Sequence, residues 1–229
     1  MSNDWQNGGF GIYIHWPFCE SKCPYCDFNS HVSQKVDQGA WLHAYLKCLD
    51  EAAIKISPRS LNTVFFGGGT PSLMSPELVL EIINKIKSLW TVSNNLEVTL
   101  EANPSSFEVN KFKDYYHAGI NRLSIGVQAL NDKDLNRLGR LHSVDEAINA
   151  VEISNSIFNH TSLDLIYARQ DQTIDDWSAE LKRALELETS HLSLYQLTIE
   201  DGTAFGNLSK KGKLKGLPVD DQAANLYEV

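Results

Sequence analysis

The chain has 229 residues, which is enough for one large domain. Its residues are 42% hydrophobic and 21% charged, a composition typical of a globular protein. This composition excludes a disordered tail, a collagen-like repeat and a coiled coil. The net charge of -9 disfavours nucleic acid and anionic membranes as partners, because both attract basic surfaces. No apolar run approaches the roughly 18 residues of a membrane-spanning helix, and the N-terminus lacks the basic and apolar regions of a secretory signal, so we expect a cytoplasmic protein without an integral membrane segment.

Short apolar runs alternate with amphipathic stretches along the chain, and this alternation predicts parallel β/α units. The predicted strands are, in chain order, residues 11–16, 63–67, 96–102, 122–128, 161–167 and 191–198. The predicted helices lie between them, at residues 40–56, 76–90, 107–118, 143–155 and 174–187. A basic, glycine-rich loop and the beginning of a further helix follow in the tail.

Six strands of this kind fit either a doubly wound open sheet or a partial barrel of the TIM type. Polar or glycine residues mark the C-terminal ends of several strands: a Gly-Gly-Gly run follows the second, and Glu101, Gln128 and Asp164 lie in or at the ends of the next three. A barrel brings all these ends around one mouth, whereas an open sheet offers a single crevice. The pattern therefore favours an α/β fold with a partial barrel.

Three cysteines, Cys19, Cys23 and Cys26, are clustered, and three chemistries fit them. Zinc could be held by the three thiolates with His15 or His31 as the fourth ligand. Cys23 and Cys26 alone form a Cys-Pro-Tyr-Cys dithiol suited to thiol–disulfide exchange. Three thiolates could also hold three irons of a [4Fe-4S] cube and leave the fourth iron open for a substrate or cofactor.

The fourth cysteine, Cys48, stands alone in the predicted helix 40–56. The apolar residues of this stretch recur with helical spacing. A lone cysteine in such a helix is most often a small buried hydrophobe. We therefore expect Cys48 to be buried and to take no part in metal binding.

The spacing of the triad, with an aromatic residue before the last cysteine, resembles the signature of radical S-adenosylmethionine (radical SAM) enzymes. The motifs YIHWPFC, FFGGGTP, EANP, GVQ, GRLH and LDLIY occur here in the order found in the oxygen-independent coproporphyrinogen III oxidase-like branch of that family. The chain is most similar to the heme chaperones of the branch, because Phe28 stands where the oxidases carry a further cysteine and because Cys19 lies close to the N-terminus.

This resemblance implies a partial (β/α)6 barrel over residues 1–205, with residues 206–229 beginning the connection to a C-terminal domain that lies outside this sequence. It implies a [4Fe-4S] cluster on Cys19, Cys23 and Cys26, S-adenosyl-L-methionine as a second cofactor and heme as cargo. The implied partners are heme-accepting proteins and an electron donor such as a flavodoxin or ferredoxin. An oxygen-independent coproporphyrinogen III oxidase and a zinc-stabilised binding protein are the alternative functions.

The resemblance also assigns the residues that contact S-adenosylmethionine. In it, the glycine-rich loop takes the methionyl amino group, Asp164 takes the ribose hydroxyls, Arg140 forms a fork on the methionyl carboxylate and Tyr25 offers its ring to the adenine. Considered singly, Glu101 and Asp164 could instead be solvated or paired with an arginine, and the glycines could form an ordinary tight turn. The complete set of assigned contacts is Tyr13, Tyr25, Gly68, Gly69, Thr70, Glu101, Gln128, Arg140, Asp164 and Thr198.

One loop departs from the family pattern. The family usually reads LIYGLPGQT after the fifth strand, whereas this chain reads LIYARQDQT, with Ala168, Gln170 and Asp171 in place of two glycines and a proline. We expect this change to stiffen or redirect the loop and to alter the affinity for S-adenosylmethionine. The sequence names no heme ligand.

Overall fold

The computed structural model describes residues 8–33, 35–56 and 58–229. Its main sheet has six parallel strands, as the sequence predicts, and β4 and β5 are longer than predicted. A separate parallel pair, β2 and β3, lies in the cysteine segment. The strands are β1 (Gly11–Trp16), β2 (Phe18–Cys19), β3 (His31–Val32), β4 (Leu61–Gly68), β5 (Val92–Ala102), β6 (Arg122–Gln128), β7 (His160–Tyr167) and β8 (His191–Gln196).

The helices lie between the strands of the main sheet and after β8. They are α1 (Gln38–Lys55), α2 (Pro76–Leu89), α3 (Ser106–Val109), α4 (Phe112–His117), α5 (Asp132–Arg137), α6 (Val144–Ile157), α7 (Ile174–Leu185), α8 (Ala204–Lys210) and α9 (Asp220–Tyr227). The predicted helix 107–118 is divided into α3 and α4. The sequence pattern does not predict the short helices α5 and α8, because fewer than eight residues show no recurring apolar face.

Local capping explains where three of the predicted helices begin. Ser75 accepts a hydrogen bond from the backbone N of Leu78 at 3.2 Å, with Pro76 in the first turn of α2. Ser143 and Thr173 each form a capping box with the acid three residues later, at the beginnings of α6 and α7. These helix starts are therefore encoded locally.

The order of strands in the main sheet decides between the two predicted architectures. The order is β1-β4-β5-β6-β7-β8, which follows the chain without reversal. A doubly wound sheet reverses its order at a switch point, whereas a barrel continues in one direction. The partial barrel is therefore confirmed. Within the described ranges the sheet ends at β1 on one side and β8 on the other, so the barrel is open between them.

The two faces of the sheet differ in polarity. Leu100 and Leu123 are fully buried in the core between the sheet and the helices. Their strand neighbours Glu101 and Ser124 point to the opposite, inner face, where the register places them side by side. Asp164 lies next to Ser193 in the same way. The inner face therefore carries polar side chains towards the C-terminal ends of the strands.

The tail after residue 205 packs against the barrel. Ala223 and Leu226 of α9 are buried in the same core as the strands. The backbone N of Asp171 donates to Gly216 O at 2.6 Å, and Gln170 Nε2 donates to Lys215 O at 2.7 Å. The tail thus supports the loop that follows β7. In the described ranges no helix has the length and apolarity needed to cross a bilayer.

Candidate functional site

A cavity of about 300 Å³ lies at the C-terminal ends of the strands. Its walls are the cysteine segment, the ends of β4 to β7 and the residues that follow β8. The barrel therefore brings together positions that are far apart in the sequence. All of the predicted site residues except Tyr13 line this cavity: Cys19, Cys23, Tyr25, Cys26, Gly68, Gly69, Thr70, Glu101, Gln128, Arg140, Asp164 and Thr198.

Tyr13 lies elsewhere on the inner face of the sheet. Its hydroxyl is 3.3 Å from His15 Nδ1, and its ring stacks on Phe65 with 6.0 Å between ring centroids. The side chain is 57% exposed. Tyr13 is outside the cavity because its position on β1 is three residues before the strand end, in a lower layer of the barrel.

The cysteine segment is a loop held closed at its base. β2 and β3 pair beneath it, the backbone N of His31 donates to Pro17 O at 2.7 Å, and Lys22 Nζ donates to Ser30 O at 3.2 Å. Cys19 is buried and Cys23 and Cys26 are half-buried, all as free thiols that face the cavity. The loop therefore presents its three sulfurs to one space.

The two metal sites predicted for the cysteine segment, a zinc site and a cube, differ in the donors that they need. Within the described residues, no three Cys, His, Asp or Glu side chains converge on a point that one metal ion could occupy. Tetrahedral zinc with bonds of about 2.3 Å needs its sulfurs roughly 3.8 Å apart, whereas a cube spreads three thiolates over three irons. Neither His15 nor His31 lines the cavity, and His15 Nε2 is 2.9 Å from Asn29 O. The predicted fourth zinc ligands are therefore not at the cavity, and the three thiols there are the number that a cube with one open iron takes.

Cys48 does not behave as the sequence predicts. It is exposed on α1, while its neighbour Leu49 is buried in the core. Successive helix residues are about 100° apart, so the turn that buries Leu49 directs Cys48 to solvent. The prediction that Cys48 is a buried hydrophobe is wrong. Cys48 also lies outside the cavity lining.

The glycine-rich loop after β4 makes close contact with the cysteine segment. A Cβ atom on Gly69 would lie 2.6 Å from Phe18 O and 3.0 Å from Cys19 Sγ. Gly68 has a φ of 120°, a conformation that favours glycine. The backbone N of Gly69 donates to Trp16 O at 2.7 Å, and that of Thr70 donates to Phe18 O at 2.8 Å. The glycines are therefore needed for the loop to approach Cys19.

Two half-buried carboxyl groups face the cavity. Glu101 Oε2 accepts a hydrogen bond from the backbone N of Gly68 at 3.1 Å. Burial, with a smaller contribution from the charge of Asp164, raises the pKa of Glu101 to about 7. Asp164 accepts from Ser124 Oγ at 3.1 Å, and burial raises its pKa as well. Arg122 pairs at 3.4 Å with Glu97 rather than with either acid. Two desolvated acids of this kind suit a cationic ligand.

Arg140 is held by several partners. Its Nη2 donates to Asn103 Oδ1 at 2.6 Å and to Gly126 O at 2.9 Å, and its Nη1 donates to Cys23 Sγ at 3.4 Å. Nε is buried and has no partner among the described residues. The predicted bidentate contact with the methionyl carboxylate would therefore need Nη1 and Nη2, which already donate hydrogen bonds to protein acceptors.

Asn103 is a cavity residue that sequence reasoning missed. Besides accepting from Arg140, its side chain donates to Thr70 Oγ1 at 3.4 Å, and its backbone N donates to Glu108 Oε2 at 2.8 Å. It therefore links the glycine loop to Arg140. Its position in the EANP motif, directly after the polar end of β5, is the signal that could have identified it.

Tyr25 packs on α8, one of the helices that the sequence pattern does not predict. Its ring centroid is 6.4 Å from that of Phe205, and the backbone N of Phe205 donates to Pro24 O at 2.8 Å. Burial raises the pKa of Tyr25, so the phenol stays protonated. The beginning of α8 thereby holds the last turn of the cysteine segment in place.

The altered loop after β7 keeps left-handed backbone at both former glycine positions. Ala168 and Asp171 each have a φ of 59°. Arg169, 2% exposed, donates from Nε to Asp134 Oδ2 at 3.0 Å and from Nη2 to Glu180 Oε2 at 2.5 Å. A buried ion network therefore stabilises this loop.

Comparisons with known proteins show which family this chain resembles. The radical SAM superfamily profile matches residues 13–184. The chain is 38% identical over 219 residues to "Heme chaperone HemW" of Escherichia coli and 41% identical over 223 residues to that of Haemophilus influenzae, in each case over 95% of this chain and 57% of the relative. It is 40% identical over 241 residues to "Radical S-adenosyl methionine domain-containing protein 1, mitochondrial" of Dictyostelium discoideum, over 95% of this chain and 54% of the relative.

The fold is also found in solved structures. Coproporphyrinogen III oxidase (HemN) from Escherichia coli superposes with a TM-score of 0.82 at 24% identity, over 95% of this chain and 50% of that one. The chain thus spans little more than half the length of the relatives it matches. The resemblance that the cysteine spacing and ordered motifs predict is confirmed, and the chain belongs to the radical SAM superfamily.

Proposed function

We propose that this chain is the cofactor-binding barrel of a HemW-like heme chaperone. In this proposal Cys19, Cys23 and Cys26 hold a [4Fe-4S] cluster, the cavity binds S-adenosylmethionine beside it, and the whole protein passes heme to acceptor proteins. The observation that carries it is the convergence of three free thiols, a glycine-rich loop and two half-buried acids on one cavity. Similarity to relatives named heme chaperones supports the choice of cargo.

The residues present fit both cofactors. The three thiols are the ligand set of a cube with one open iron, and the close approach of Gly69 to Cys19 leaves no room for a side chain between loop and cluster segment. A cluster bound here would supply a low-potential electron and an open coordination position. An electron donor such as a flavodoxin or ferredoxin would then be its partner.

The chain's own groups suit the cationic cofactor. Glu101 is fixed by the backbone N of Gly68 and so points a carboxylate at the glycine loop, where the methionyl ammonium group would bind. Asp164, held by Ser124, can accept hydrogen bonds from ribose hydroxyls. The apolar side chains of Ile166 and Leu197 line the same cavity and limit its water. Ligand binding would replace that water around two acids that, in the described part of the chain, form no ion pair with an arginine within 4 Å.

Anaerobic reconstitution with iron and sulfide tests the cluster. We expect a brown protein with about four irons per chain, whose reduced electron paramagnetic resonance spectrum changes when S-adenosylmethionine is added. Heme binding is then followed by the absorbance of added hemin, and transfer by its loss to an apo-hemoprotein. A colourless protein that retains zinc instead would contradict the proposal.

The second candidate is an oxygen-independent coproporphyrinogen III oxidase, which the fold likeness to HemN favours. Phe28 lies at the cavity, 60% exposed, so the segment carries no further thiol there. The two functions are separated by incubating the reconstituted protein with coproporphyrinogen III, dithionite and S-adenosylmethionine. Sustained formation of protoporphyrinogen would favour the oxidase, and its absence together with heme transfer would favour the chaperone.

A further inference from the structure

We infer that Arg140 raises the reduction potential of the cluster by donating a hydrogen bond to the sulfur of Cys23. This inference rests on the proposed function, because it requires a cluster on the cysteine triad. It goes beyond that function by giving Arg140 an electronic role that does not depend on S-adenosylmethionine. The contact is Arg140 Nη1 to Cys23 Sγ at 3.4 Å, between residues 117 positions apart.

The backbone around Arg140 directs this contact. A tight turn ends α5, where Gly139 has a φ of 67° and the backbone N of Arg140 donates to Leu135 O at 2.9 Å. A Cβ atom on Gly139 would lie 2.6 Å from Pro24 Cδ, so the turn packs directly on the residue after Cys23. The turn and the cysteine segment are therefore in contact through both backbone and side chain.

The guanidinium is also oriented from its other side. Asn103 Oδ1 and Gly126 O accept from Nη2 at 2.6 and 2.9 Å. Because the group is planar, fixing Nη2 on two acceptors also sets the direction of Nη1. The acceptors at the ends of β5 and β6 thus orient the guanidinium for its hydrogen bond to Cys23 Sγ.

The positive charge of Arg140 should raise the reduction potential of the cluster. A cysteine that binds iron does so as a thiolate, and the reduced cluster carries one more negative charge than the oxidised cluster. A guanidinium in a desolvated site stabilises the more negative state more strongly. Hydrogen bonds to cluster sulfurs and the local charge are established determinants of cluster potential.

The three cysteines receive different donors. Cys26 is hydrogen-bonded by the backbone of Phe28 and the hydroxyl of Ser30, which are neutral groups. Cys19 lies against the backbone of Gly69, where an added Cβ atom would come within 3.0 Å of its sulfur. Cys23 receives the charged donor Arg140 as well as the neutral hydroxyl of Tyr25. Loss of Arg140 should therefore change the reduction potential of the cluster more than loss of a neutral donor would.

The test is a redox titration of the reconstituted full chain without S-adenosylmethionine, followed by electron paramagnetic resonance. Wild type is compared with Arg140→Met and Arg140→Gln, each checked for iron content. We expect both variants to keep the cluster. At a fixed potential, the ratio of reduced to oxidised cluster should be at least tenfold lower than in wild type, which corresponds to a reduction potential lower by about 59 mV for a one-electron couple. A role confined to the methionyl carboxylate would weaken cofactor binding and leave this potential unchanged.

Arg137→Met is the matched control. This change also removes a guanidinium, but Arg137 bonds Asp171 and Gln170 O and lies outside the cavity lining. The variant should retain the wild-type potential. Equal potentials in wild type and the cluster-loaded Arg140 variants would overturn this inference alone, as would loss of the cluster from both Arg140 variants, which would make the role structural. Failure of wild type to form any cluster would overturn the proposed function as well.

Discussion

Glu101 determines much of the cavity's response to pH. Its carboxyl ionises near 4.5 in an unfolded chain, and burial raises its pKa to about 7 in the folded protein. The folded state therefore binds a proton that the unfolded state has already released between these pH values. Asp164 adds to the shift, and the phenols of Tyr13 and Tyr195 lie within its electrostatic range.

The ligand-free protein should consequently lose stability as pH rises from about 4.5 to about 7, and the loss should be complete above pH 7. Its size is on the order of 3 kcal/mol in the free energy of unfolding. Glu101→Gln should remove the part of this dependence that comes from Glu101 and leave the smaller part that comes from the raised pKa of Asp164, as measured by urea unfolding at several pH values. Glu97→Gln, a change on the same strand at the residue paired with Arg122, is the control that should retain it. An identical pH profile for Glu101→Gln and wild type would contradict the assignment.

The cysteines should separate into two groups. Changing Cys19, Cys23 or Cys26 to Ala should abolish retention of iron, because each faces the cavity. Cys48→Ala should leave the iron content unchanged, since Cys48 is exposed on α1. Iron and sulfide analysis after reconstitution measures both groups. Iron loss in Cys48→Ala equal to that of the triad variants would show that the ligand set is wrong.

Gly69 should tolerate no side chain. Gly69→Ala would place a methyl group 2.6 Å from Phe18 O, which is backbone and cannot move aside freely. We expect a loss of roughly 1–3 kcal/mol in stability together with reduced iron retention. Gly39→Ala is the control, because its Cβ would meet only Asp37 Oδ1 at 3.4 Å at the beginning of α1. That variant should be neutral or stabilised by up to about 1 kcal/mol.

At the scale of elements, the loop after β7 depends on a buried arginine. Arg169 joins Asp134 of α5 to Glu180 of α7, and it donates to the carbonyl of Ile166. This network connects two helices to the strand end that lines the cavity. The ion pairs of Arg169 stabilise a loop in which Ala168 and Asp171 adopt a left-handed backbone conformation.

Arg169→Met should destabilise the protein by about 3–5 kcal/mol, because it removes the cation paired with the buried carboxylate of Glu180 and leaves Asp134 with only a 3.8 Å contact to Arg137. Arg137→Met should cost no more than about 1 kcal/mol, since Arg137 is partly exposed, its partner Asp171 is at the surface and its contact with Asp134 is long, at 3.8 Å. Chemical unfolding of the two variants measures the difference. Equal stabilities would show that the network contributes little.

At the scale of the whole molecule, the tail and the barrel share one core. Leu226 of α9 is 2% exposed and belongs to the same cluster as the strands. Leu226→Ala should lower the stability of the entire barrel by about 2–5 kcal/mol in a single unfolding transition. Leu208→Ala, at a position that is 38% exposed, should have a much smaller effect. A separate early transition in Leu226→Ala would indicate that the tail unfolds independently.

The sequence by itself determined the features that depend on local spacing. Alternating apolar segments established the six strands, capping residues established helix starts such as those after Ser75 and Thr173, and the cysteine spacing with its ordered motifs established the superfamily. These features can be predicted from the sequence because strand periodicity, helix caps and cluster ligation each involve residues that are a few positions apart. Short helices such as α5 and α8 escape prediction because their few residues show no period.

Only the tertiary structure decided the properties that depend on distant residues. Tyr13 lies outside the cavity and Cys48 faces solvent because barrel layer and helix rotation are set by packing. The raised pKa of Glu101 follows from burial beneath elements far along the chain. The contacts of Arg140 with Asn103 and Cys23 exist because parallel strands carry their C-terminal ends to one mouth, where no sequence period can indicate which side chains will touch.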